Sequence, residues 1–201
     1  MMITDLIPLD SKRKGVYIDH QYAFPLYLSE LRKYHIEADM ELTEALYEEI
    51  HQLIVGRIRE RALYLIGDQA RTERNVRQKL QQNHYAEPYI SEALQMLKEY
   101  HYIDDEDFAR QYAENMRDFH GKTGYQITQG LYQKGVPADI IRQVMEEHEE
   151  DETALIERAI RKKGYDPKEL PELDSKSRQK LYRFLQSRGF SSDSIGEFFH
   201  F

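Results

Sequence analysis

The sequence contains no cysteine, which excludes a disulfide framework and any thiolate nucleophile or metal ligand. No apolar run approaches the roughly 20 residues of a membrane span. The start, MMITDLIPLD, carries early acids instead of a basic n-region, so no signal peptide is expected and a cytoplasmic location is. An excess of basic charge is missing too. The 201 residues have a net charge of -8, whereas proteins that live on duplex DNA usually present a basic surface, because counterion release drives their affinity. Catalytic motifs are equally scarce. The eight histidines include no His-Glu-x-x-His and no i, i+4 pair on a helix. His148, in an acidic run, reads as part of a solvated charged face. Gly121-Lys122-Thr123 resembles the end of a phosphate-binding loop, but Met116 stands where that loop needs its first glycine; an inter-helix loop is the better reading. No serine sits in a strand–turn–helix elbow, and no carboxylate lies in an apolar stretch that would raise its pKa. No enzyme activity, metal or cofactor is expected.

What the chain does have is an internal repeat. Val76, Leu80, His84, Tyr85 and Ile90 are spaced as Ile127, Leu131, Gly135, Val136 and Ile141, and again as Leu181, Leu185, Gly189, Phe190 and Ile195. Five offsets shared three times are not chance. The aliphatic pair at i and i+4 lies on one helix face. Gly135 and Gly189 stand where a helix C-cap requires positive φ, and His84 replaces glycine in the first copy. The apolar residue after the cap packs back on the helix just left, and the isoleucine opens the next apolar face. Each copy is helix, tight turn, helix.

Ahead of the repeats, residues 1–55 read as an extension. Ile3 to Leu9, Gly15 to Asp19 and Tyr22 to Phe24 are strand-like, with Pro25 as a stop; a three-stranded antiparallel sheet is expected, resting on helices. Ser29 caps a short helix, and Thr43 or Asp39 a longer one. Residues 56–103, 104–150 and 151–201 are then three three-helix units. Thr72 caps a helix, Pro88 fits a first turn, and Asp104 and Asp105 serve as cap and dipole charge for the helix that follows. Residues 146–152 form a charged junction. The prolines between Tyr165 and Ser175 indicate a long loop, and Ser192 or Asp193 caps the last helix. The fold class is mainly α, with hydrophobic residues at 40% and charged residues at 32%. Mean hydropathy is -0.77. Much surface per residue fits an elongated array of repeats better than a sphere.

Charge is unevenly spread. Residues 153–189 hold ten Lys/Arg against five Asp/Glu, and residues 1–55 reverse the ratio. On equivalent helices stand Arg71, Arg74 and Arg77 with Gln81; Lys122 and Lys134; and Arg178, Lys180, Arg183 and Arg188. Tyr85, Tyr125, Tyr132, Tyr165 and Tyr182 lie among them. Cations with tyrosines suit a protein interface or a single strand of nucleic acid equally.

The runs RALYLIGDQARTERNVRQKLQQNHYAEPYI, YIDDEDFARQY, GYQITQGLYQKGV and LYRFLQSRGFSSDSI resemble the RecX family, from about Arg59 onward. Residues Tyr102 to Ala109, Gly124 to Val136 and Arg188 to Ile195 are the most specific. The N-terminal segment looks like the strand-bearing extension of members from low-GC Gram-positive bacteria. The resemblance implies a non-enzymatic modulator of the recombinase RecA, built from tandem three-helix repeats in a curved, elongated shape. Such proteins bind the RecA filament on single-stranded DNA and suppress its ATPase, strand exchange and co-protease activity. Some touch DNA directly. A monomer without membrane contact is expected. The sequence departs from the family at Thr72 and Asn75, where a Ser-x-x-Glu box is usual, and at His84, where glycine is common. It departs again at Gly130, where a glutamate is typical and glycine costs roughly 1 kcal/mol. The alternative is a direct nucleic-acid binder built from helix-turn-helix units.

Overall fold

The computed structural model describes residues 1–147 and 152–199; most of the charged junction, including His148, lies outside them. The chain forms two compact units, Met1–Asp104 and Asp105–Phe201.

In the first unit, β1 (Met2–Pro8), β2 (Arg13–Ile18) and β3 (Gln21–Tyr27) make an antiparallel meander. Asp19 and His20 turn the chain between β2 and β3 with φ of 49° and 66°, the successive positive values of a type I′ hairpin. One expectation is corrected. Pro25 does not stop the third strand, which runs on to Tyr27 with Pro25 opposite Gly15. β3 is an edge strand, where a missing N–H can face away from the ladder. The sheet also has a fourth strand, β4 (Met40–Glu41), beside β1, in the order β3-β2-β1-β4. Two residues leave no periodicity to read.

Helix α1 (Leu28–Lys33) follows β3 directly, with Tyr27 rather than Ser29 at its N-cap; the Tyr27 N–H donates to the Glu30 carboxylate at 2.8 Å. Helix α2 (Glu44–Asp68) is capped by Thr43, whose hydroxyl accepts the Leu46 N–H at 3.3 Å. It runs through position 55 without a break. Its buried stripe of Ile50, Ile54, Ile58, Ala62 and Leu65 keeps helical spacing. One core joins that stripe to Ile3, Val16, Phe24 and Leu26 of the sheet and to Val76, Leu80, Ile90 and Leu94. The last four belong to α3 (Glu73–Gln82) and α4 (Glu87–Glu99). The sheet and the first three-helix group therefore share one interior, which is how a sheet too small to stand alone is stabilised.

The second unit holds two three-helix groups. α5 (Asp105–Asp118), α6 (Gly124–Lys134) and α7 (Ala138–Glu146) enclose Ala109, Ala113, Ile127, Leu131, Ile141 and Val144. α8 (Glu152–Lys162), α9 (Ser175–Ser187) and α10 (Ser192–Phe199) enclose Ile156, Ile160, Leu181, Leu185, Ile195 and Phe199. The expected long loop contains a 3₁₀ segment, Pro167–Glu172, because fully buried Leu170 anchors it in that core. Ser191, not Ser192 or Asp193, caps α10: its hydroxyl accepts the Ser194 N–H at 3.0 Å.

The repeat is realised position by position. All twelve of its apolar members are buried. His84, Gly135 and Gly189 have φ of 67°, 82° and 89°. In each copy the residue after the cap donates its N–H to the carbonyl five residues back: Tyr85 to Leu80 at 3.3 Å, Val136 to Leu131 at 3.1 Å, Phe190 to Leu185 at 3.4 Å. This is the Schellman closure that satisfies orphan helix-end carbonyls. The same bond closes α1, α4 and α8, from Ile36 to Leu31, Tyr102 to Leu97 and Tyr165 to Ile160.

Candidate partner-binding surface

The arginines of α3 divide sharply. Thr72 caps this helix, accepting the Asn75 N–H at 3.2 Å. Arg71, its side chain 12% exposed, turns back to donate to the Leu65 carbonyl at 2.9 Å and reaches Asn75 and Asp68. It satisfies the end of α2 and offers little to a partner. Arg77 bridges α3 to α4, pairing with Glu73 at 2.6 Å, with Glu87, and with Ser91 at 3.0 Å. Gln81 donates to Glu87 at 2.9 Å. Glu73 also takes Lys98 at 2.9 Å. Burial alone would raise the Glu73 pKa, but the hydrogen bonds from Lys98 and Arg77 prevail and lower it. Of the three arginines, only Arg74 is exposed without an internal partner among the described residues.

In the second group, Lys122 is exposed. Lys134 lies over the rings of Tyr112 and Phe108, at 5.2 and 5.9 Å. Tyr125 and Tyr132 on α6 are exposed. The loop that resembled a phosphate-binding turn has a different use. Thr123 is buried, its hydroxyl accepts the Gln126 N–H at 3.3 Å, and it donates to the carbonyl of Arg188 at 2.5 Å. Met116 lies in α5. Thr123 thus caps α6 and ties it to the α9–α10 turn.

In the third group, Lys180 and Arg183 project from α9 into solvent. Arg178 donates to the Pro171 carbonyl at 2.7 Å, and its Nε is buried, so it braces the 3₁₀ segment. Arg188 lies over the Phe184 ring at 4.7 Å. Tyr165 and Tyr182 pack against the third core. Arg188 also meets Arg158 and Lys162 around a cavity of about 230 Å³; those two were legible only as part of a basic run.

Asp105 opens α5 with Glu106 and Asp107 in its first turn, and Asp104 precedes it. Gly135 and Gly189 carry the positive φ already described. No cluster of three or more metal-binding side chains occurs among the described residues, and no described helix is long and apolar enough to cross a membrane.

Sequence reading missed a further basic surface. Arg57, Arg61 and Tyr64 follow at i, i+4 and i+7 along the edge of α2 that borders its buried stripe, and that spacing was the available signal.

Three family models match the chain. They are the first three-helix domain of RecX over residues 59–97, the second over 104–145 and the third over 149–199. A protein named Regulatory protein RecX from Clostridium botulinum (strain Eklund 17B / Type B) is 32% identical over 190 residues, covering 92% of this chain and 88% of the relative. One of the same name from Caldanaerobacter subterraneus subsp. tengcongensis is 28% identical over 200 residues, covering 97% and 96%. A crystal structure of regulatory protein RecX superposes with a TM-score of 0.65 at 26% identity, covering 99% of this chain and 98% of that one. The RecX structure from Lactobacillus salivarius gives 0.60 at 24% identity over 73% and 95%, a likeness of fold.

Proposed function

This chain belongs to the RecX family, and from that membership we propose that it is a non-enzymatic regulator of the recombinase RecA. It binds the RecA filament on single-stranded DNA, as a monomer and in the cytoplasm. There it suppresses ATPase, strand-exchange and co-protease activities, and so acts in recombination, DNA repair and the SOS response. The observation that supports this reading is the tandem of three RecX three-helix domains along one chain.

The physics is consistent with it. Linked domains can seat several small patches, each weak alone, and gain by effective concentration. A non-catalytic inhibitor needs only to bind one filament state better than another by a few kcal/mol. Arg74, Lys122, Lys180 and Arg183 are the exposed cations best placed to serve, against the recombinase or its DNA.

The decisive measurement is the single-stranded-DNA-dependent ATPase of the cognate RecA with this protein titrated in. Loss of ATPase well below one copy per protomer supports capping or disassembly of the filament, and loss near stoichiometry supports occupancy of its groove. No effect from folded protein rejects the reading. Lys180→Glu with Arg183→Glu is expected to weaken inhibition by about tenfold at physiological salt, whereas Arg178 is a poor choice because it braces the fold.

A further inference from the structure

On the first unit an open cleft of about 580 Å³ lies between the β1–β2 turn, α2 and the turn joining α3 to α4. Four cations line it, Lys12, Arg13, Arg57 and Arg61, against the carboxylates of Asp10 and Glu60. That is a local positive excess in a chain of net charge -8. Two of the cations are held by the fold. Arg13 binds Asp10 at 2.8 Å and the Asn83 carbonyl at 3.1 Å. Arg57 pairs with Glu30 and lies over the Tyr27 ring at 4.9 Å.

The other two are available. Lys12 and Arg61 are exposed and have no carboxylate partner among the described residues. Arg61 lies over one face of Tyr64 at 5.2 Å. That ring is 68% exposed, which leaves its other face to solvent. Deeper in the cleft, Tyr85 is 8% exposed, and its hydroxyl makes no hydrogen bond among the described residues. Burial raises its pKa against the pull of Arg57, so the O–H remains a donor at neutral pH.

Mobile cations meet phosphate oxygens through charge-assisted hydrogen bonds. An open tyrosine face stacks an unpaired base, and an arginine plane can extend that stack. A duplex offers no unpaired base face, and an acidic peptide would use the cations but leave the ring idle. We propose that this cleft is a binding site for single-stranded nucleic acid, with backbone phosphates on Lys12 and Arg61 and an adjoining base stacked on Tyr64. The site gives the N-terminal strands a direct role in binding, since the β1–β2 turn supplies one wall. It uses none of the cations on which the recombinase reading rests and requires no recombinase.

The test is fluorescence anisotropy of an end-labelled oligothymidylate of about ten nucleotides with the full chain alone, across a range of salt. Lys12→Gln with Arg61→Gln is expected to weaken binding about tenfold and to reduce the log–log salt slope by roughly 1.4, about 0.7 for each phosphate no longer neutralised. Tyr64→Ala is expected to weaken it at least about fivefold with the slope unchanged. All three side chains are exposed, so the melting temperature should not move. The proposal is overturned if the wild type fails to bind at low salt or if the variants bind like the wild type. It is equally overturned if unlabelled polyglutamate displaces the probe as well as unlabelled oligonucleotide does.

Discussion

Gly130 shows how a single position can look wrong in a sequence and right in a structure. It sits in the middle of α6, where glycine weakens a helix by roughly 1 kcal/mol relative to alanine. A Cβ at this position would collide with the Tyr112 ring and its hydroxyl. Tyr112 is itself fixed, stacked on Phe108 with 6.2 Å between centroids and an interplanar angle of 10°. Gly130→Ala is therefore expected to lower stability by about 1 kcal/mol despite its better helix propensity. With Tyr112→Ala already present, the same change should raise stability instead. Chemical denaturation of the four proteins in a double-mutant cycle measures the coupling, and additive effects would dissociate the glycine from the tyrosine.

At the scale of the element, the six helix ends closed by one backbone pattern differ in the residue that turns left-handed. Glycine serves at 135, 164 and 189, and histidine at 35, 84 and 101. A side chain there carries a steric cost that glycine avoids. His84→Gly is expected to raise stability by about 0.5–1 kcal/mol, and Gly135→Ala to lower it by about 1 kcal/mol. Opposite signs at equivalent positions, read by thermal melts, would confirm that backbone conformation governs both. The three turns of the repeat, at 84, 135 and 189, were legible in the sequence because their five determining positions fall within fifteen residues, and the apolar spacing and caps are local; those at 35, 101 and 164 were not. Nor were other features. The carbonyl bonds of Arg71 and Arg178 and the Thr123 bond to Arg188 depend on partners that no periodicity indicates. β4 and the 3₁₀ segment are too short to carry a pattern. Among the candidate cations, the helices that carry them were legible, but not which guanidinium groups the fold would occupy.

Across the whole molecule, the N-terminal strands are fastened to the first three-helix group as well as packed on it. Arg13 reaches the Asn83 carbonyl at 3.1 Å, and the Tyr22 hydroxyl donates to the carbonyl of His84. Burial pushes the Tyr22 pKa up to about 12 from an ordinary 10.0. The folded state therefore favours the neutral phenol. Its contribution is fully present below pH 10 and is lost as pH rises towards 12. Alkaline denaturation followed by hydrogen exchange should weaken Met1–Asp104 through that window. Tyr22→Phe should make the decline shallower, without abolishing it, because buried Tyr85 and Tyr89 are raised as well. An unchanged alkaline profile in Tyr22→Phe would remove the phenol from this role.

The joint between the second and third helix groups has a consequence for how the sequence can drift. Thr123 holds a main-chain carbonyl of Arg188, so the bond itself places no demand on which side chain stands at 188. Gly189 faces the ring of Tyr125 so closely that any side chain there would overlap it, and its φ of 89° resists one independently. Lineages can therefore exchange Arg188 with little consequence for the joint. The Cβ of Tyr125 itself lies too close to where a side chain at 189 would begin, so trimming the ring would not admit one; position 189 should stay glycine whichever residue stands at 125.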